Sequence, residues 1–325
     1  MSLLGKTKNV LKHILPPPVN TFNREVSRIL DAVQKNERDS QKLQQQIRKQ
    51  IVEQQKIFFS SLTQIQKQIA DQSAKRQIDE LNRQIKVLQN SVEQVKKQAA
   101  DSNRHAAEAV WAQIFDLTIS GSTWLKDKAF SPGRWAVGYP YLYVMYRVLN
   151  ETHPKHILEL GLGQSTRMIS QYAAAFNDVE HIVVEHDPEW IKFFTNSYSL
   201  PVNTRIVKLE REMVPYKEAE KVRAFKRFKE IFEGKKFEFI SIDAPFGGDM
   251  KQYSRIDVLR MMPDCLSKDY VIMIDDTNRS GEINTLKEME QCLVRNNFAY
   301  KRGLYHGEKS CAILCSEHLG FFSSM

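Results

Sequence analysis

The sequence predicts an α/β protein, a doubly wound and mostly parallel sheet preceded by a long α-helical coiled coil. Two observations carry that expectation. Between Thr21 and Ser120 there is neither glycine nor proline, and the apolar residues form one narrow stripe. After Gly121, short apolar segments alternate with amphipathic ones, the pattern of strand–helix–strand units in a parallel sheet. With 325 residues, 42% of them apolar, the chain can bury a sizeable core.

Residues 1–20 form a basic leader. Leu3, Leu4, Leu11, Ile14 and Leu15 can share one face of a short helix, with Lys6, Lys8 and Lys12 around it. Such a segment can lie on an anionic membrane surface; a disordered or partner-docking segment is the alternative. It lacks a small-residue cleavage site, so it does not read as a signal peptide.

Residues 21–120 form the helical region. Phe22, Val26, Ile29 and Val33, then Leu43, Ile47, Ile51, Phe58, Leu62, Ile65 and Ile69 recur at spacings typical of a coiled-coil seam. After a phase slip near Asp71, the stripe resumes at Ile78, Leu81, Ile85, Leu88, Val92 and Val95. A lone helix cannot bury such a seam, so a parallel homo-oligomer is expected, with a rod about 115 Å long. Antiparallel self-folding lacks a turn signal, although "ADQSAKR" near Asp71 could bend the rod. Residues 1–100 hold 18 Lys/Arg against 9 Asp/Glu, and the remainder 29 against 30. The basic excess belongs to the N-terminal third and suggests an acidic neighbour, or simply a solvated helical face.

Residues 121–325 form the globular part. Strands are predicted at "HILEL", "HIVVEH", "TRIVKL", "FEFISID" and "YVIMIDD", with a closing hairpin in "FAYKRGLYHGEKSCAILCS". Helices are predicted at Thr166–Ala175, Glu189–Ser197, Ala219–Phe232, Arg255–Met262 and Ile283–Arg295. Together they make a Rossmann-like, seven-stranded sheet with one antiparallel strand. Cys265, Cys292, Cys311 and Cys315 show no metal spacing, and the last two stand about 13 Å apart on a strand, too far for a disulfide. A reducing cytoplasmic compartment is expected, with association at the inner membrane face if the leader binds there. No apolar run reaches the length of a membrane span.

In open α/β sheets, ligands bind beyond the strand C-termini where strand order reverses. "ELGLGQST" is that place. Gly161 and Gly163 allow a sharp turn and close approach to a ligand, with Gln164 and Ser165 opening the helix behind it. A dinucleotide fingerprint would need glycine at Thr166, which disfavours NAD. Glu185 ends the second strand, where a carboxylate can accept from both ribose hydroxyls; capping the next helix is its plainer role. Glu159, Gly161, Gly163 and Glu185 therefore describe a nucleoside pocket, with His186 in its wall.

These motifs, with the strand ending in Asp243 and the closing hairpin, resemble class I S-adenosylmethionine-dependent methyltransferases over roughly residues 139–316. The resemblance implies that Gly161 and Gly163 flank the methionine portion of the cofactor, that Glu185 holds its ribose, and that Glu210 lies near the adenine. Gln164, Ser165, His186 and Asp243 complete the cofactor-binding set that it implies.

"SIDAPFGG" and "MIDDTNRSGE" bring Asp243, Asp275 and Asp276 to neighbouring strand ends. Three gathered carboxylates repel unless protonated or bridged by a cation, and Mg²⁺ or another divalent ion is a suitable bridge. This set resembles that of metal-dependent O-methyltransferases. Helix capping by Asp275 or Asp276, or pairing with Arg279, would satisfy the same residues without a metal. Asp243, Pro245, Gly247, Arg255, Asp276, Arg279 and Glu282 are also similar in order to plant glucuronoxylan 4-O-methyltransferases, although Ala244 departs from that pattern. That resemblance implies a sugar or glycan hydroxyl as acceptor, with Arg255 or Arg279 recognising a carboxylate; an ordinary salt bridge is equally compatible.

His306, in the turn after the sixth strand, is the candidate general base because its usual pKa suits proton removal near neutrality; a loop histidine without a role is the alternative. Asp243 and Arg279 join it as catalytic candidates. Arg134, Trp135 and Tyr139 are candidates for a lid or an aromatic sugar platform. The expected activity is methylation of a sugar hydroxyl in cell-surface polysaccharide assembly. The competing expectations are a non-catalytic coiled-coil scaffold and an NAD-dependent sugar-modifying enzyme. A globule with no basic excess argues against nucleic acid as substrate.

Overall fold

The computed structural model describes residues 19–68, 74–133 and 135–325. The leader helix, the Asp71 slip and Arg134 lie outside the described residues. Contacts divide the chain into two units, residues 1–100 and 101–325.

The first unit holds α1 (Val19–Gln68) and the N-terminal part of α2 (Ala74–Ile119). Ile51 and Phe58 of α1 line one cavity with Ile85, Leu88 and Val92 of α2. In an unbroken helix Ile51 and Val92 would stand about 60 Å apart, so the chain folds back on itself. The expected continuous rod is thereby corrected: parts of the two seams meet within one chain. None of the described side chains from 24 to 100 is buried.

The boundary expected after residue 120 also moves. Phe115 and Ile119, in the last turns of α2, are buried in the globular core. Trp111 packs against Tyr143, tilted, and Tyr305, edge-on, at ring distances of 5.3 and 5.8 Å. Glu108 accepts backbone N–H bonds from Tyr139 at 2.6 Å and Glu308 at 2.9 Å.

In the second unit, α3 (Tyr139–Thr152) leads into β1 (His156–Leu160), α4 (Gln164–Ala175), β2 (Glu180–Glu185), α5 (Pro188–Ser197) and β3 (Thr204–Lys208). There follow β4 (Arg211–Tyr216), β5 (Ala219–Phe225), α6 (Phe228–Phe232), β6 (Phe237–Ile242), β7 (Leu266–Ile274), α7 (Ser280–Arg295), β8 (Tyr300–His306) and β9 (Ser310–Ser316). Seven strands form one sheet in the order β3-β2-β1-β6-β7-β9-β8. The strands pair in parallel except β9, which runs antiparallel to both neighbours. This is the Rossmann-like, doubly wound and mostly parallel sheet expected from the sequence. Strand order reverses between β1 and β6, so their C-terminal ends, Gly161 and Asp243, flank the crevice.

The second strand of the β4–β5 hairpin replaces the first half of the helix expected over Ala219–Phe232, and α6 keeps its end. "AEKVRAF" has helix-favouring residues, but Ala219, Val222, Ala224 and Phe225 are buried, and Asp257 Oδ1 accepts from Phe225 N at 2.7 Å. Tertiary packing overrides local propensity here. The helix expected from Arg255 shrinks to one 3₁₀ turn at Leu259–Met261. Arg255 itself adopts φ +56°, a conformation that a helix cannot contain.

Candidate active site

Above the switch point lies a cavity of about 750 Å³, within the range of small-molecule and cofactor sites. Its first wall is the turn from β1 to α4. Gly161 takes φ +106° and a Cβ there would sit 3.2 Å from the Cβ of Ala244. At Gly163 a Cβ would meet nothing within 4 Å, so the backbone faces open space. Thr166 occupies the place of a third glycine, and its hydroxyl accepts from Gly163 N at 2.9 Å. The turn is closed by a side chain instead of a close helix approach. Gln164 and Ser165 line the cavity beside it.

Glu185 closes this wall. Its Oε2 accepts from Leu162 N at 3.2 Å, and its Oε1 from His186 N at 2.6 Å and Asp187 N at 3.0 Å. Glu185 thus fixes the backbone between strand and helix without capping the helix, a role that Asp187 takes, and its side chain lines the cavity. His186 Nδ1 lies 2.7 Å from Glu185 Oε1. Asp187 caps α5 through Glu189 N and Trp190 N. Trp190 is anchored by an indole N–H bond to Leu162 O at 2.7 Å. A nucleoside with an amino-acid tail, the cofactor implied by the sequence resemblance, fits these residues: open backbone at Gly163, a fixed carboxylate at Glu185 and an aromatic wall at Trp190.

The opposite wall comes from the ends of β6 and β7. Asp243, half-buried, and Asp276, buried, line the cavity with Arg255, Arg279 and Lys309. Arg255 is 2% exposed, with Nη2 at 3.1 Å from Asp243 Oδ1 and 2.7 Å from Asp276 Oδ2. Arg279 Nη1 lies 2.9 Å from the same Asp276 oxygen, and Lys309 Nζ is 3.5 Å from Asp276 Oδ1. Burial raises the Asp243 pKa, to about 8, with Arg255 opposing and Asp275 reinforcing the rise. Burial also works to raise Asp276, but Arg255, Lys309 and Arg279 outweigh it and lower its pKa. One wall thus holds a carboxyl poised near neutrality beside one held firmly ionised.

Several expected residues fall elsewhere. Glu159 is fully buried and bonds His181 Nε2 at 3.0 Å; the alternation of β1 turns it into the core, away from the cavity. His306 is exposed, bonds Ser310 Oγ at 2.9 Å and does not line the cavity, because β8 is the sheet edge. Asp275 lies behind the wall, 1% exposed, near Lys309 Nζ at 3.5 Å. Glu210 is exposed and pairs with Lys226; Arg211 lines the cavity in its stead. Tyr139 packs on Phe115 at 5.9 Å and forms no lid, whereas Trp135 does line the cavity, 84% exposed, with its ring 5.9 Å from Phe246.

Lys309, Trp190, Phe246 and Arg211 have no sequence motif to announce them. Lys309 carries a weak signal, a lone cation in the tight turn of the closing hairpin.

No protein-family model matches the sequence, and no curated protein matches it. Among solved structures, the chain is similar to the O-methyltransferase TomG of Streptomyces achromogenes, crystallised with SAM. That match has 12% identity, covers 64% of this chain and 98% of that one, and has a TM-score of 0.43. An O-methyltransferase from Bacillus cereus in complex with SAH matches at 12% identity, over 65% of this chain and 91% of that one, with a TM-score of 0.37. Spermidine synthase from Thermotoga maritima matches at 16% identity, over 54% and 59%, with a TM-score of 0.33. These similarities concern the fold, and fold does not fix function.

Proposed function

We propose that the chain is an S-adenosylmethionine-dependent O-methyltransferase whose acceptor is a sugar hydroxyl. The observation that carries this is the pairing of two walls in one cavity: a glycine turn with Glu185 on one side, and Asp243 on the other. Bound S-adenosylmethionine supplies an activated methyl group on a sulfonium. The chain's own task is then to hold the nucleoside, orient the acceptor and take its proton. Gly161, Gly163, Glu185, His186 and Trp190 serve the first task.

Asp243 is the proposed base. It is the carboxylate at the cavity wall that retains exposure among the charged groups around Arg255, and its conjugate acid is poised for transfer near neutral pH. Arg279, one-third exposed, serves to orient the acceptor by its outward N–H groups. Trp135 and Phe246 offer apolar faces at the cavity that suit the C–H face of a sugar ring. A role in surface-polysaccharide assembly follows from this acceptor class and the basic N-terminal third.

Self-association belongs to the same proposal. The α1 and α2 segments leave Leu43, Ile57, Phe59 and Val87 more than half exposed, and a second copy would cover such a stripe. Multi-angle light scattering of the full chain should report a multiple of the 37.8 kDa monomer mass; a monomer at micromolar concentration would remove this element.

The central test is calorimetry with S-adenosylmethionine, S-adenosylhomocysteine and NAD, followed by transfer of labelled methyl to sugar and catechol acceptors. Saturable binding of the first two, with label entering the sugar, is expected. Binding of NAD alone would overturn the proposal, and label entering only the catechol would overturn its choice of acceptor.

A further inference from the structure

Clustered carboxylates of low exposure repel one another unless a proton or a cation intervenes. At the ends of β6 and β7, one oxygen from each of Asp243, Asp275 and Asp276 lies within 4.8 Å of the others. The sequence offers a divalent ion or pairing with Arg279 for this cluster. Four of its six carboxylate oxygens already lie within 4 Å of a cation of the chain, while among the described residues Asp275 Oδ1 has no partner and Asp276 Oδ1 no hydrogen bond. Arg255 Nη2 spans Asp243 Oδ1 and Asp276 Oδ2 at 3.1 and 2.7 Å, while Nη1 donates to the carbonyl of Asp275 at 3.0 Å. Lys309 Nζ lies 3.5 Å from both Asp275 Oδ2 and Asp276 Oδ1. A hard divalent ion needs free oxygens on its inner sphere. A buried guanidinium on two of those oxygens repels a second positive charge and takes up one acceptor site on each.

The backbone supports this placement. Arg255 stands at φ +56° in the segment after β6, and its side chain is 3% exposed beneath the strand ends. Glu282, fully buried, approaches from α7, with Oε1 at 3.8 Å from Arg255 Nε and 3.7 Å from Arg279 Nη1. Four carboxylates thus face three cations, and the guanidinium lies within 4 Å of three of them and bonds the backbone carbonyl of Asp275. A lysine at 255 would lack the planar fork that bridges two carboxylates.

We propose that Arg255 is the resident cation of this cluster, replacing a divalent metal, so that the protein works without one. Arg255 is then a positioning residue. It acts through Asp243 and Asp276, holding both at the cavity wall. The consequence for catalysis rests on the methyltransferase reading above; the replacement of the metal does not. Without a chelating ion, the acceptor is held by hydrogen bonds and aromatic faces, and its proton falls to a carboxylate.

The test is calorimetric titration of the full chain with Mg²⁺ and Mn²⁺, repeated on Arg255→Gly, which suits the left-handed backbone at that position. The wild type should show no saturable heat and keep its S-adenosylmethionine affinity in EDTA. The variant should gain a Mn²⁺ site at least about tenfold tighter than any wild-type association, with a Tm that rises with Mn²⁺ by mass action. Should the variant fail to fold, the wild-type titration decides alone. A stoichiometric Mg²⁺ or Mn²⁺ site in the wild type overturns the proposal, as does a folded Arg255→Gly variant that gains no site. Absence of S-adenosylmethionine binding in the same calorimeter would instead sink the methyltransferase reading, leaving the metal result on Arg255 intact.

Discussion

The two walls of the cavity are held by different physics. On the β1–β2 side, position comes from the main chain: Gly161 at positive φ, and Glu185 gripping three successive or neighbouring N–H groups. On the β6–β7 side, position comes from charge, with Arg255, Arg279 and Lys309 threaded among four carboxylates. Hydrogen bonds to backbone are local and directional, whereas a buried charge network stands or falls as a set. The first wall therefore tolerates change piecemeal, and the second should not.

Substitutions can break or sharpen that contrast. The largest effect is expected at Asp243. Asp243→Asn removes the proposed base and should lower kcat by about 10² to 10⁴ while sparing S-adenosylmethionine affinity, measured by initial rates and calorimetry. The same variant tests the electrostatics. Because the folded-state pKa of Asp243 is raised to about 8, the folded protein holds a proton that the unfolded chain releases near pH 4. Stability from this group is present at acid pH and is lost as pH rises toward 8. Wild-type Tm should fall over that window, and Asp243→Asn should flatten the slope.

Next in size is Arg255→Met, which leaves buried carboxylates uncompensated and should cost about 3–5 kcal/mol in urea denaturation. On the backbone-held wall, Glu185→Gln removes the charge and keeps one acceptor oxygen, which can serve His186 N and Asp187 N but not Leu162 N as well. It should weaken S-adenosylmethionine by about tenfold, near 1.4 kcal/mol, and cost about 1–3 kcal/mol of stability, less than Arg255→Met. Equal destabilisation by Arg255→Met and Glu185→Gln would erase the distinction between the walls. The smallest effect is expected for Trp135→Ala at the exposed mouth: a several-fold rise in acceptor KM, with kcat and fold unchanged.

The same contrast explains what could be read from the residue order. The backbone-held wall was legible because its parts are contiguous or announced by strand ends: Gly161 and Gly163 in one turn, Glu185 closing the next strand. Glu159 misled because its spacing matched a motif while the strand's alternation turned it inward against His181. The charged wall was half legible. Asp243 and Asp276 were marked by strand ends, and pairing with Arg279 was one open reading. But Lys309 reaches Asp276 from the closing hairpin and Arg255 spans Asp243 and Asp276 from an irregular loop, so the full set of cations was hidden. The parallel sheet with its one antiparallel strand followed from the alternation of strands and helices and from the closing hairpin. The β4–β5 hairpin did not, because its burial pattern depends on partners such as Asp257 that lie far along the chain. The fold-back of α1 on α2 was masked by seams that continue in kind on either side of the slip.

Glu108 has a practical bearing on how the chain can be shortened. Its carboxylate is stapled to the amides of Tyr139 and Glu308, and the turns beyond it donate Phe115 and Ile119 to the interior. Trimming up to Ala100 should therefore yield a soluble, cofactor-competent body, whereas trimming up to Ser120 would tear out aromatic ballast and leave the hairpin bearing Lys309 without its brace.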